Sequence, residues 1–205
     1  MKQIKCDNEV ITPSKIICIG RNYVDHITEL GNEIPTEPVI FIKPNSAITQ
    51  DIIFDPHESI HYEAELTFIV KDGALAAVGI GLDLTKRTIQ SLLKAKGLPW
   101  ERAKAFDGSA VLSNFVSLTD TVEALSLELY INDVLTQLAT YDLMLHKPTE
   151  ILAEISRFMT CENGDLIMTG TPKGVGEVKL GDRFMARVLH RQQTMIEQTW
   201  QVVTK

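Results

Sequence analysis

Cysteine is scarce in this chain of 205 residues, and Cys6, Cys18 and Cys161 lie far apart with no CxxC pair among them. A disulfide framework is therefore not indicated, and a reducing, cytoplasmic setting is expected. Cys18 sits inside the apolar run from Ile16 to Ile19 and reads as a small buried hydrophobe. Long apolar runs are also missing. None approaches the roughly 18 residues that span a bilayer, so no membrane partner is expected. The opening MKQIKCDNEV is polar and carries acids, unlike a secretory signal. Basic blocks are absent too: 20 Lys and Arg stand against 27 Asp and Glu, a formal net charge of -7. That balance leaves no footprint for nucleic acid. It also means that any attraction for an anionic substrate must be local, from a metal or from placed Lys and Arg side chains. There is no internal repeat and no low-complexity linker, and 12 Gly with 8 Pro are too few to suggest disorder.

What remains is a chain of ordinary length with 44% hydrophobic residues, which suits a single domain over 1–205. Short strands are predicted within 2–12, over Lys15 to Ile19, Pro38 to Lys43 and Asp51 to Phe54, and through 61–73 up to a Lys71-Asp72-Gly73 turn. Further strands are expected from Ala74 to Leu84, Ala124 to Ile131, Val134 to Thr140, Asp165 to Thr169, Gly181 to Val188 and Thr194 to Val203. Helices are predicted from Asn22 to Leu30 with a Gly31-Asn32 stop, from Thr85 to Ala95, and from Pro148 to Phe158 with proline in its first turn. Residues 103–116 read as loop and short strand. Strands outnumber helices and no βαβ unit repeats, which disfavours Rossmann and TIM-barrel architectures. The expected fold class is α+β and β-rich, with mixed β-sheets curled together and a few short helices.

The chemistry centres on HYEAEL. His61, Glu63 and Glu65 share one face if this stretch is one strand, with alternate Cα atoms about 6–7 Å apart. Two carboxylates that close repel unless a positive charge sits between them, and a hard divalent cation such as Mg²⁺ does so with oxygen ligands. Asp83, a lone acid in the apolar GIGLDL, offers a third carboxylate. The plainer alternatives are a solvated sheet face for the glutamates and a helix N-cap role for Asp83 near Thr85. His26 and Glu29, three apart on a helix, form a candidate proton-transfer pair or a surface salt link. Lys104, with Asp107 in AKAFDG, is either a buried cation beside a bound anion or a surface-loop lysine. TGTPKGVG, residues 169–176, resembles an anion-binding loop in which Thr171 adds a hydroxyl, without the residue order of a Walker A motif. Arg21 and Lys43, each ending an apolar strand, are further anion-binding candidates.

Six stretches together resemble the fumarylacetoacetate hydrolase superfamily, in particular its small acylpyruvate hydrolase and oxaloacetate decarboxylase type. They are IICIGRNYVDHITELGN (16–32), EPVIFIKPNSAI (37–48), HYEAEL (61–66), LDLTKRTIQ (82–90), KGLPWERAKAFD (96–107) and LIMTGTPKGVG (166–176). The likeness runs over nearly the whole chain. It implies a β-rich roll, a homodimer, and Mg²⁺ or Mn²⁺ held by Glu63, Glu65 and Asp83. It also implies His26 and Glu29 on a short helix over the substrate, Lys104 beside the metal, and substrate contacts from Arg21, Gln90 and Thr171, with Lys43 on the pocket side of its strand. Two departures stand out. The family carries a longer segment with a short helix between the positions of Leu66 and Asp83. Its Asn-Asp and TAR read here as Leu82-Asp83 and Thr85-Lys86-Arg87.

By this resemblance the substrate is a small 2-oxo acid or dicarboxylate. The leading expectation is metal-dependent hydrolysis of the carbon–carbon bond of an acylpyruvate. Oxaloacetate decarboxylation and keto–enol tautomerisation are alternatives at the same site. A catalytically weakened small-acid binder is a different class of reading, disfavoured because all the candidate side chains are present.

Overall fold

The structure, a computed structural model, describes residues 1–29, 31 and 35–204. An eight-stranded mixed sheet forms its centre. In spatial order its strands are Val39–Pro44, Lys15–Gly20, Leu166–Met168, Ala64–Lys71, Ala74–Asp83, Ala110–Leu112 and Ile48–Thr49, with Val116–Ser117 also pairing to Ala74–Asp83. A five-stranded sheet holds Val134–Thr140, Leu125–Ile131, Arg183–His190, Gln193–Thr204 and Ile52–Phe54. A small sheet joins Thr85–Lys86, Ile60–Tyr62 and Gly176–Glu177, and Ile4–Cys6 pairs with Glu9–Ile11. The helices are short: α1 (Val24–Glu29), α2 (Arg87–Ala95), α3 (Glu101–Lys104) and α4 (Pro148–Ile155). This is the expected β-rich roll of curled mixed sheets.

The continuous apolar run of Lys15–Gly20 follows from burial on both faces. Ile16 and Cys18 join the layer under the N-terminal hairpin, whereas Ile17 and Ile19 pack with Ile151 and Ile155 of α4. A central strand covered on both sides has no polar face to alternate with. On the next strands, Leu66, Phe68, Val78 and Ile80 meet Leu127, Leu129, Phe184 and Trp200 of the five-stranded sheet, forming the largest core. Gly81 is required by close approach, since a Cβ there would fall 2.4 Å from Thr67 Oγ1 and 2.6 Å from Met168 Cε. In α4 the Glu150 carboxylate accepts from Lys147 N at 2.9 Å, closing the N-terminus ahead of Pro148.

Four local expectations needed adjustment. The 61–73 strand is broken at Glu63 into Ile60–Tyr62 and Ala64–Lys71, which belong to different sheets. Thr85–Lys86 is a strand, and the helix begins only at Arg87. Residues 101–104 form the single turn α3, too short for an apolar period to reveal. The first helix runs Val24–Glu29 and Gly31 takes a left-handed φ of 61°, while the predicted Leu30 and Asn32 lie outside the described residues. In place of the longer family segment, Asp72 and Gly73 close a two-residue hairpin with φ of 53° and 72°, the backbone a primed turn demands.

Asp165 ties the start of two neighbouring parallel strands together. Its carboxylate accepts from Ser14 N, Ser14 Oγ, Lys15 N and Glu162 N, and from the Lys15 ammonium. Burial alone would raise its pKa, but the bonds from Lys15, Ser14 and Glu162 outweigh it and hold the carboxyl below its usual range. Asp165→Ala is expected to lower stability by about 3 kcal/mol, read as the urea midpoint. Because the folded pKa is depressed, the contribution is present above about pH 4 and fades as pH falls through the folded value.

Candidate metal centre and substrate cleft

Three strand paths leave the large sheet for the small one at a single seam. Ala64–Lys71 continues backward through Glu63 into Ile60–Tyr62. Ala74–Asp83 continues through Leu84 into Thr85–Lys86. Leu166–Met168 continues through residues 169–175 into Gly176–Glu177. At such a seam the ladder is interrupted, so backbone groups and side chains turn inward together.

Glu63, Glu65 and Asp83 meet there. They are 6%, 1% and 1% exposed, and one carboxylate oxygen from each lies within 4.8 Å of the others. Asp83 N donates to Glu63 O at 2.8 Å, fixing the two strands at the crossing. The buried trio excludes the solvated-face reading of the glutamates. It equally excludes the N-cap reading of Asp83, because the α2 N-cap position is Lys86 and has no side-chain cap. His61, on the far side of the strand break, is not among the clustered donors.

Cations surround the trio. Lys104, at the end of α3 and 3% exposed, donates to Glu63 Oε2 at 2.7 Å, Asp83 Oδ2 at 2.6 Å and Thr85 Oγ1 at 2.6 Å. It is a buried lysine, whereas Asp107 is exposed. Lys43 is fully buried, 2.8 Å from Asp83 Oδ1, and donates to the carbonyls of Leu84 and Lys104. The resemblance put Lys43 on the pocket side of its strand. Its ammonium ends on Asp83 and those carbonyls, so it braces the acid cluster itself. Arg87 donates to Glu63 Oε1 at 2.5 Å and to Gln90 Oε1 at 2.7 Å.

The three acids are not equivalent. Burial would push the Glu63 pKa up, but Lys104, Arg87 and His26 outweigh it and hold the carboxyl well below the usual range. Glu65 is driven the other way, by burial first and then by Asp83 and Glu63. Gly170 N donates to its Oε2 at 2.7 Å. Gly170 has φ of 89°, and a Cβ there would sit 2.8 Å from Asn22 Cβ, so glycine alone brings that N–H to Glu65. A buried carboxyl with a backbone donor but no ion pair among the described residues, beside two more hard oxygen donors, is what a divalent metal would complete. The donor set fits Mg²⁺ or Mn²⁺.

A cleft of about 420 Å³, mouth included, opens over this cluster. Arg21, His26, Gln90, Lys104 and Thr171 line it, together with Glu63 and Glu65. His26 Nδ1 lies 3.3 Å from Glu29 Oε2. Burial lowers the His26 pKa although Glu63 and Glu29 oppose it, so the ring is mainly neutral at pH 7. With Nδ1 donating to Glu29, Nε2 keeps its lone pair. Thr171 donates to Ala64 O at 3.0 Å and accepts from Gln137 at 2.8 Å. In the 169–176 loop two backbone N–H groups serve the protein's own carboxyls: Gly170 N that of Glu65, and Gly174 N that of Glu29 at 3.1 Å. Sequence reasoning missed Arg87, Lys94, Phe41 and Trp100 on the cleft wall. For Arg87 and Lys94 the signal was available, because with Gln90 they form the i, i+3, i+7 stripe of a helix.

The fumarylacetoacetate (FAA) hydrolase C-terminal family matches residues 15–200. The chain belongs to this family. Among fumarylacetoacetate hydrolase relatives, the oxaloacetate tautomerase of Schizosaccharomyces pombe, a mitochondrial protein, is 40% identical, with 89% of this chain and 91% of that protein covered. The oxaloacetate tautomerase of Escherichia coli K12 is 38% identical, covering 82% and 85%. The fumarylpyruvate hydrolase of Pseudomonas aeruginosa, solved in complex with Mn²⁺ and pyruvate, superposes with a TM-score of 0.88 at 26% identity, covering 100% of this chain and 96% of that one. No helix among the described residues is long and apolar enough to cross a membrane.

Proposed function

We propose that the chain is a divalent-metal tautomerase interconverting the keto and enol forms of oxaloacetate. The observation that carries this reading is the buried carboxylate trio opening into a small, cation-lined cleft with one proton-transfer pair at its wall. Similarity to oxaloacetate tautomerases moves this reaction ahead of the acylpyruvate hydrolysis that the resemblance put first. In this reading Glu63, Glu65 and Asp83 hold Mg²⁺ or Mn²⁺, and the cation supplies Lewis-acid stabilisation of negative charge on the 2-oxo oxygen. Lys104, whose ammonium is kept charged because Asp83 and Glu63 outweigh its burial, adds fixed positive potential beside that oxygen. His26 takes the C3 proton at Nε2 and delivers it to the 2-oxo oxygen to give the enol, with the same two transfers reversed for the keto form, while Glu29 holds the ring and its tautomer. Arg21, Gln90 and Thr171 orient the acid, and α1 limits water. The chain acts as one catalytic unit and works as a homodimer, which sedimentation would check.

A second reading, hydrolysis of an acylpyruvate, is favoured by the His26–Glu29 pair, since the same base would activate a water, and by the likeness to fumarylpyruvate hydrolase.

The test follows loss of the oxaloacetate enol absorbance by stopped flow, with Mn²⁺ or Mg²⁺ and after chelation. Pyruvate and CO₂ release from oxaloacetate and from a series of acylpyruvates are measured in parallel. Metal-dependent acceleration of enol loss without CO₂ supports the tautomerase. Pyruvate from an acylpyruvate, with enol loss at the buffer rate, would move the assignment to hydrolase. His26→Ala is expected to lower the tautomerase rate by about 10²–10⁴ with little change in metal affinity.

A further inference from the structure

Helix α2 presents Arg87, Gln90 and Lys94 on one stripe, and all three line the cleft. The chemistry changes along that stripe. Arg87, at the inner end, is held by Glu63 and Gln90. Lys94 is seven residues further along, about 10 Å at ~1.5 Å per residue. Lys43, Lys104 and Arg87 each engage an acid of the cluster. No acid among the described residues pairs with Lys94, whose ammonium instead lies 5.0 Å from the centre of the Trp100 ring. An aromatic face holds a cation in place without neutralising it. An incoming carboxylate therefore has no internal ion pair to displace. Burial, then Arg21 and Arg87, hold the Lys94 pKa down to about 8, so the group is mostly charged at neutral pH and in a locally positive field.

We propose that Lys94, backed by Trp100, receives the distal carboxylate of a dicarboxylic 2-oxo acid and thereby sets the preference of the cleft for dicarboxylates over monocarboxylates. This rests on the reading of the cleft as a 2-oxo acid site, with the 2-oxo end at the acid cluster. The inner cations are occupied by the cluster's own carboxylates, so they add little discrimination at the far end. Lys94 lines the cleft wall beside Trp100, where its ammonium is placed to meet the second charge.

The test uses unreactive ligands that differ by one carboxylate. The metal-loaded protein is titrated calorimetrically with lactate and with malate of the same configuration, for the parent, Lys94→Met and Lys94→Arg. The parent is expected to bind malate about tenfold or more tighter than lactate. Lys94→Met should erase that ratio by weakening malate alone, and Lys94→Arg should restore most of it. A merely structural lysine would weaken both ligands equally in Lys94→Met, and that result overturns the proposal. An unchanged ratio in Lys94→Met, or a parent with no preference, overturns it as well. Turnover is scored separately. A Lys94-dependent malate preference in a protein that does not tautomerise oxaloacetate keeps the subsite and rejects the proposed reaction. Tautomerase activity with a Lys94-independent ratio rejects the subsite alone.

Discussion

Glu65→Gln is expected to abolish turnover while leaving the metal-free protein as stable as the parent, or more so. Burial, then Asp83 and Glu63, push the Glu65 pKa well up, although the N–H of Gly170 opposes the rise. A glutamine copies the neutral acid in shape and still accepts from Gly170 N. It removes the repulsion and also removes one of three anionic metal donors. The rate should fall on the order of 10³ or more, the scale lost when charge stabilisation at a reacting oxygen is removed. The two readouts move in opposite directions, which ordinary damage to a core does not produce. The pH dependence has a definite sign. A raised folded pKa contributes stability that is full below the unfolded value near 4.3 and is lost as pH rises through the folded value. Metal-free parent should thus lose stability with rising pH in that window, and Glu65→Gln should lose less. Metal affinity of the parent should rise over the same window, because binding expels the Glu65 proton. Thermal unfolding in chelator and with Mn²⁺, together with turnover at saturating metal, decides it. Retained activity in Glu65→Gln would remove Glu65 from the metal set.

Lys104→Met makes the complementary case. Its ammonium is shared by Glu63, Asp83 and Thr85, all buried. Removing it leaves Asp83 with Lys43 and Glu63 with Arg87 but takes away the cation the two acids share, a loss of about 3 kcal/mol in the metal-free protein. A divalent cation binding the same carboxylates restores much of that stability, because it favours the folded state by mass action. The thermal shift produced by metal should therefore be larger in Lys104→Met than in the parent. Activity should not return with stability. With Lys104 beside the reacting oxygen, its removal is expected to cost about 10²–10³ in rate at saturating metal. A variant as stable as the parent in chelator would show that the ammonium is not balancing the acids. A fully active one would remove Lys104 from the proposed chemistry.

The strand-rich architecture was legible because apolar runs such as Lys15–Gly20 and alternating ones such as Leu125–Ile131 report their burial directly. The spacing of His61, Glu63 and Glu65 was less informative. It placed three side chains on one face of one strand, but the chain changes sheets at Glu63, so only the two glutamates enter the cluster. Lys104 could not be separated from a surface-loop lysine by local sequence. Its burial depends on α3 bringing it against strands some 20 and 40 residues earlier.

By itself the sequence determined the strand content, the hairpin at Asp72-Gly73, the pairing of His26 with Glu29 and, through six motif blocks, the family. These depend on neighbours within a few residues or on ordered patterns along the chain. Beyond what the resemblance implied, tertiary structure decided how the charges of the site pair with one another. The seam where three strand paths leave the large sheet sets Asp83 beside Glu63. It leaves Glu65 with no ion pair among the described residues, sets Lys43 against Asp83 and aims Gly170 N at a carboxylate. Electrostatic partners act over a few ångströms in space, and separations of 20 to 105 residues along the chain carry no local trace of them.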